Sequence, residues 1–108
     1  MTSRRVDVGI LGATGMVGQQ FIIQLANHPW FRITWLGASE RSEGRKYSDL
    51  PWRLSVPRPR EVDDLVVEAA APGRAPRLMF SGLDSKVAGD IEREFASAGH
   101  FVVSNARN

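Results

Sequence analysis

The chain has 108 residues, of which 43% are hydrophobic and 24% are charged, and its formal net charge is +2. This is the length of one domain with an adequate core, so we expect a single folded domain over residues 1–108. The basic residues are scattered rather than clustered, which argues against a nucleic-acid partner. The chain has no cysteine, and its two histidines lack metal-ligand spacing, so we predict neither a disulfide nor a metal site.

Membrane association is also not expected from the sequence. No apolar run is long enough to span a bilayer, and residues 1–5 are polar, unlike the start of a signal peptide. We therefore expect a soluble, cytoplasmic domain that does not bind membranes.

The first third of the chain predicts a strand, a helix and a second strand. Residues 6–11 form a short β-branched run that stops at Gly12, which is typical of a buried parallel strand. Apolar side chains then recur at helical spacing, while Gln19 and the neighbouring glutamines fall largely on the opposite face. This amphipathic helix is predicted to end at Pro29, which disfavours helical geometry in the residue before it. Residues 31–38 begin with alternating apolar and polar side chains and are rich in β-forming residues, which predicts the second strand.

The remainder of the chain predicts a long loop, three strands and one more helix. Residues 39–60 are polar and contain three prolines, which indicates a loop with a short helix near 47–50. Runs of β-forming residues predict strands at 65–69, 77–81 and 100–104. Residues 84–98 predict a helix that Gly99 terminates. Because apolar strands alternate with helices, we predict an α/β fold: a Rossmann-type, doubly wound, mostly parallel sheet with helices on both faces.

The sequence Gly-Ala-Thr-Gly-Met-Val-Gly at 12–18 connects the first strand to the first helix. Its spacing, G-x-x-G-x-x-G, is a variant of the dinucleotide-binding pattern G-x-G-x-x-G. Gly12 would permit a sharp exit from the strand, Gly15 a close approach of backbone to a pyrophosphate, and Gly18 close packing of helix on sheet. The amide groups at the helix start would then face the phosphates. A structural turn without a ligand is the alternative, but the strand before and the helix after favour the cofactor site.

The residues after the second strand bear on the choice between NADP and NAD. In this fold the end of that strand reaches the adenosine ribose. Ser39, Arg41 and Ser42 offer hydroxyl groups and a guanidinium suited to the 2′-phosphate of NADP. Glu40 stands close to where a carboxylate would select the ribose of NAD. We expect NADP over NAD, with a solvated charged loop as the further alternative.

Several segments together resemble aspartate-semialdehyde dehydrogenase of the archaeal and fungal type. They are the glycine turn at 12–19, Asn-His-Pro-Trp-Phe at 27–31, the segment 36–47, Phe-Ser-Gly-Leu at 80–83 and Val-Ser-Asn-Ala-Arg-Asn at 103–108. The resemblance covers nearly the whole chain. It implies an enzyme of amino-acid biosynthesis that reduces aspartyl phosphate to the semialdehyde with NADPH and that forms homo-oligomers.

The resemblance also implies which residues contact the cofactor. The pyrophosphate would lie against Thr14, Gly15, Met16 and Val17. The 2′-phosphate would be held by Ser39, Arg41 and Ser42. The inner edge of the cofactor would pass along Ser81, Gly82 and Leu83, and the nicotinamide end would lie near Asn105.

The chemistry that the resemblance implies needs residues that this chain lacks. The family's nucleophilic cysteine and histidine base follow in a later segment, so we predict no catalytic residue within residues 1–108. The chain would be a fragment that binds the cofactor without turnover, and the substrate would require the missing catalytic and dimerisation domain. Three alternatives remain: a malonyl-CoA reductase, an N-acetyl-glutamyl-phosphate reductase, which fits the glycine turn less well, or a non-catalytic NADP-sensing module.

Overall fold

The computed structural model describes residues 5–105 and contains, within them, one five-stranded sheet and two α-helices. The strands are β1 (Val6–Leu11), β2 (Phe31–Ala38), β3 (Glu68–Ala69), β4 (Leu78–Ser81) and β5 (Phe101–Ser104), and the helices are α1 (Met16–Leu25) and α2 (Ser85–Ser97). All strand pairs are parallel, in the order β3-β2-β1-β4-β5. The chain changes direction across the sheet between β1 and β4, which confirms the predicted Rossmann-type, doubly wound architecture.

The two helices cover opposite faces of the sheet. On one face α1 packs against β1 and β2, and Val8 and Ile22 are fully buried there. On the other face α2 contributes Phe95, which packs with Leu11 in a second core cluster. The alternation of side chains along β1 explains this division, because Val8 and Leu11 point to opposite faces. Helices on both faces are therefore confirmed.

An irregularity in β2 changes which side chains share a face. The register with β1 skips Thr34, so Ile33 and Trp35 join the two different core clusters although they lie two positions apart. The indole of Trp35 lies over Gly37, where an added Cβ would come within 2.4 Å of the ring. This packing fixes the last residues of β2, which lead to the predicted ribose-binding segment.

Helix α1 ends before the predicted stop at Pro29. Ala26 has an extended conformation, and Asn27 has a φ of +58°, in the left-handed region. The amide of Asn27 donates to the carboxylate of Glu61 at 3.1 Å. Asparagine tolerates this conformation better than most residues, so the helix has already ended when the chain reaches the proline.

Strand β3 is shorter than the predicted strand at 65–69. The amide of Tyr47 donates to Leu65 O at 2.8 Å, and the amide of Val67 donates to Arg45 O at 2.9 Å. Residues 65–67 therefore pair antiparallel with the preceding loop, through a bridge between Lys46 and Val66, and the ladder with β2 is limited to Glu68 and Ala69. The predicted short helix near 47–50 is present as a 3-10 turn at Tyr47–Asp49, and a second 3-10 turn at Arg60–Val62 was not predicted.

The described residues 5–105 contain neither a membrane-spanning helix nor a cluster of metal-binding side chains. No helix there is long and apolar enough to cross a membrane. No group of three or more histidine, aspartate or glutamate side chains is arranged to hold a metal ion in that part of the chain.

Candidate functional site

The glycine turn between β1 and α1 uses its glycines for different physical reasons. Gly12 has a φ of +72°, which disfavours any residue with a Cβ. Gly18 is buried against the turn, and an added Cβ would lie 2.0 Å from Gly12 O. At Gly15, by contrast, an added Cβ would have its nearest neighbour at 3.7 Å. The fold therefore requires Gly12 and Gly18, whereas Gly15 leaves open space beside the backbone.

Helix α1 begins at this turn without a side-chain cap. Its N-cap residue is Gly15, which has no side chain to accept a hydrogen bond from the first helical amides. Helix α2 differs, because Asp84 accepts a hydrogen bond from the amide of Lys86 at 3.3 Å. The first amides of any helix lack intrahelical acceptors, and they carry the positive end of the helix dipole. The start of α1 can therefore bind an anion through its backbone.

A cleft of about 330 Å³ opens beside the start of α1. The predicted residues that line it are Gly12, Thr14, Gly15, Ser39, Gly82 and Leu83. The lining residues that were not predicted are Ala38, Ala70, Asp84, Val87 and Ile91. Val87 and Ile91 stand one helical turn apart on α2, and Val87 is 49% exposed. The cleft thus combines an apolar wall with backbone donors, as small-molecule sites usually do.

The other predicted residues near the turn lie outside this cleft. Ser81 is fully buried, and its Oγ accepts a 3.5 Å hydrogen bond from the amide of Leu83, so it shapes the connection between β4 and α2. Met16 is 60% exposed at the start of α1. Val17 and Asn105 line a second cavity of about 240 Å³, together with side chains of α1. Eight of the thirteen predicted cofactor contacts therefore line one of these two cavities, whereas Met16, Gly18, Arg41, Ser42 and Ser81 line neither.

The segment after β2 folds into a tight turn. Ser39 O accepts hydrogen bonds from the amides of Ser42 at 2.9 Å and Glu43 at 3.2 Å. Ser39, Glu40 and Arg41 are exposed, whereas Ser42 is only 8% exposed. Arg41 is consequently exposed two residues after Ser39, which lines the cleft.

A part of the loop between β2 and β3 packs back onto the glycine turn, and we call residues 47–53 the strap. The hydroxyl of Tyr47 donates to Ala13 O at 2.6 Å. Nε of Arg53 donates to Thr14 O at 3.0 Å. Two consecutive carbonyl groups of the turn are thus held by side chains from the strap, a contact that the sequence analysis missed.

Gln19 connects the strap to α1 and contradicts the predicted polar face of this helix. It was expected to face away from the core, but it is fully buried. Its Nε2 donates to Pro51 O at 3.0 Å, and its Oε1 accepts from the amide of Arg53 at 2.8 Å. Because both ends of the amide have partners, burial of this polar side chain carries little penalty.

Burial raises the pKa of Tyr47 to about 12, because desolvation disfavours the tyrosinate; a hydrogen bond with Gln19 and the charge of Arg58 act in the opposite direction. The folded-state pKa is above the ordinary value of 10.0. The stability that the neutral hydroxyl contributes is therefore present below pH 10 and is lost as the pH rises toward 12.

We expect the free energy of unfolding of the unaltered chain to fall by about 2–3 kcal/mol through this alkaline window. The Tyr47→Phe variant should lack this additional pH dependence, although it loses the hydrogen bond to Ala13 O at every pH. Tyr47 is the only tyrosine in the chain, so its tyrosinate absorbance reports the titration directly. A tyrosinate that forms in the folded chain with an ordinary pKa would contradict the prediction.

A parallel sheet of order β3-β2-β1-β4-β5, with a glycine turn and an uncapped helix after β1, defines a dinucleotide-binding domain of the Rossmann type. The family model "Semialdehyde dehydrogenase, NAD binding domain" matches residues 7–108. The chain belongs to this family.

Similar proteins of known identity agree with the family match. The aspartate-semialdehyde dehydrogenase of Candida albicans is 51% identical over 104 residues, which cover 93% of this chain and 28% of the relative. That of Archaeoglobus fulgidus is 46% identical over 108 residues, covering 94% of this chain and 30% of the relative. A crystal structure of the Candida albicans enzyme with NADP superposes with a TM-score of 0.90 at 48% identity, over 97% of this chain and 30% of that one. The chain therefore spans less than a third of the length of these relatives.

Proposed function

We propose that this chain is the NADP-binding domain of an aspartate-semialdehyde dehydrogenase. The observation that carries the proposal is the uncapped start of α1, where Gly15 leaves open space beside backbone donors at the edge of a cleft. This arrangement fits the diphosphate of a dinucleotide. The similarity to aspartate-semialdehyde dehydrogenases, and to the crystal structure of the Candida albicans enzyme with NADP, supports the same conclusion.

The residues that we propose to hold NADP are those that the sequence predicted, and the lining of the two cavities supports some of them. The diphosphate would lie against Thr14, Gly15, Met16 and Val17 and bind the first amides of α1, while Gly12 and Gly18 would shape the turn. The exposed Ser39 and Arg41, with Ser42 in the same turn, would hold the 2′-phosphate. Ser81, Gly82 and Leu83 would form the wall beside the cofactor, and Asn105 would lie toward the nicotinamide in the second cavity.

The activity that we propose for the whole protein is the NADPH-dependent reduction of aspartyl phosphate to aspartate semialdehyde. The cofactor, when bound, supplies the hydride for this reduction. An acyl-enzyme route needs a thiolate nucleophile, and residues 1–108 include no cysteine. We therefore assign cofactor binding to this chain, and the substrate, the nucleophile and homo-oligomer contacts to the rest of a longer enzyme.

The test is a titration of the chain with NADP and with NAD, followed by tryptophan fluorescence and by melting temperature. NADP should raise the melting temperature because it binds the native state, and NAD should do so less. The Arg41→Met variant should bind NADP about tenfold more weakly and leave NAD unaffected, because only NADP carries the 2′-phosphate. The matched control is Arg60→Met, an exposed arginine of the same loop. If neither nucleotide binds to the folded chain, the glycine turn is only structural in this protein.

A further inference from the structure

Arg53, in the strap, occupies a position that neither the sequence patterns nor the proposed function accounts for. Its backbone amide is held by Oε1 of the buried Gln19 at 2.8 Å. Its side chain reaches Thr14 O, where Nε donates at 3.0 Å. The two hydrogen bonds connect residues that are 34 and 39 positions apart in the sequence. An exposed arginine is thus tethered at both its backbone and its side chain to the start of α1.

The hydrogen bond of Arg53 fixes one peptide group of the turn. The peptide between Thr14 and Gly15 accepts from Arg53 at its oxygen, and its N–H donates to Gly12 O at 3.1 Å. Since both ends of this planar group are held, its orientation is set before any ligand binds. Binding sites that are ordered in advance lose less entropy when the ligand arrives.

Arg53 also brings a positive charge to the glycine turn. A guanidinium has five N–H donors, and Nε is the one engaged with Thr14 O. Within residues 5–105, Arg53 forms no ion pair with a carboxylate. Thr14 lines the cleft and precedes the N-cap residue of α1. A positive charge without a carboxylate partner in this part of the chain therefore lies beside the residue that precedes the N-cap of α1, with Nε 3.0 Å from Thr14 O.

We propose that Arg53 is a positioning residue of the cofactor site, which orients the Thr14–Gly15 peptide and supplies positive charge for the diphosphate. The inference rests on the proposed function, because it assumes that a dinucleotide binds at the start of α1. It differs from the assignment of Arg41 in one measurable respect. NAD and NADP share the diphosphate, so Arg53 strengthens the binding of both, whereas Arg41 acts on NADP alone.

The experiment measures the dissociation constants of NADP and NAD by tryptophan fluorescence at low and at high ionic strength. Arg53→Met should weaken both nucleotides by a similar factor, about tenfold at low ionic strength. The factor should shrink at high ionic strength, because salt screens the lost charge. Arg53→Lys keeps the charge and should retain most of the affinity and of the salt dependence. Arg60→Met is the control, because Arg60 is far from the glycine turn. Its neighbour Glu61 contacts Asn27, which follows the opposite end of α1.

Melting temperatures identify variants that have lost the fold. If Arg53→Met does not fold, Arg53→Gln replaces it, since glutamine keeps a donor for Thr14 O but carries no charge. Three outcomes would overturn the inference while the proposed function stands. They are an unchanged nucleotide affinity in the folded neutral variant, a loss of affinity for NADP alone, and a loss of affinity that does not depend on salt. If the unaltered chain binds neither nucleotide, both proposals are overturned.

Discussion

Replacing Gly18 by alanine is expected to destabilise the chain by about 3 kcal/mol or to prevent folding, because the new methyl group has no room. An added Cβ at this position would lie 2.0 Å from Gly12 O and 2.7 Å from Gly12 C. Both atoms belong to the backbone of the glycine turn, so the overlap is relieved only if α1 moves away from the end of β1. Gly82 also lies close to Gly18, because a Cβ added at Gly82 would come within 2.5 Å of Gly18 N. This close approach blocks a shift of α1 toward the end of β4.

Gly89 provides the matched control for this substitution. It lies within α2, and an added Cβ would have no heavy atom within 4 Å. Gly89→Ala should therefore stabilise the chain by up to about 1 kcal/mol, the difference in helix propensity between the two residues. Chemical denaturation of both variants measures the contrast. If Gly18→Ala were as stable as the unaltered chain, the close packing of α1 on the sheet would be wrong.

Replacing Gly15 by aspartate should separate stability from cofactor binding. Gly15 is the N-cap of α1 with φ −89° and ψ 167°, a conformation that aspartate adopts readily and prefers as a cap. The carboxylate would accept hydrogen bonds from the first helical amides and would complement the helix dipole, so stability should rise by up to about 1 kcal/mol. The same carboxylate would occupy the space proposed for the diphosphate and repel it. We expect NADP affinity to fall at least about a hundredfold.

The Gly15→Asn variant distinguishes charge from bulk. Asparagine has nearly the same shape and is also a favourable cap, but it is neutral. NADP binding should therefore be weakened by about tenfold, less than in Gly15→Asp. Melting temperatures and NADP titrations on the three proteins give the comparison. Equal affinity of Gly15→Asp and the unaltered chain would mean that no phosphate approaches this position.

Local patterns of apolar residues predicted strands β1 and β2 and both α-helices, but not the short length of β3 or the second 3-10 turn. The features that they missed depend on contacts between distant residues. Gln19 is buried because Pro51 and Arg53 satisfy its amide, and helix α1 ends at Leu25, where the chain turns and Asn27 binds Glu61. No local pattern contains this information.

The candidate site was predictable to a similar degree. The glycine spacing indicated the turn, and the helix predicted at 84–98 includes Val87 and Ile91. Strand β4 pairs beside β1, and this pairing brings the start of α2 next to the turn. Val87 and Ile91 therefore form a wall of the cleft. The role of the strap was not predictable, because Tyr47 and Arg53 contact the turn only after the intervening loop has folded.

Because of the strap, the conformation of the glycine turn depends on a segment that is synthesised after it. The carbonyl groups of Ala13 and Thr14 are held by side chains 34 and 39 positions further along the chain. A β1–turn–α1 unit grafted into another scaffold would therefore carry the glycines but not the orientation of their peptide groups. In this protein the conformation of the glycine turn is a property of the whole domain, and it is completed only when the most irregular part of the chain has packed against it.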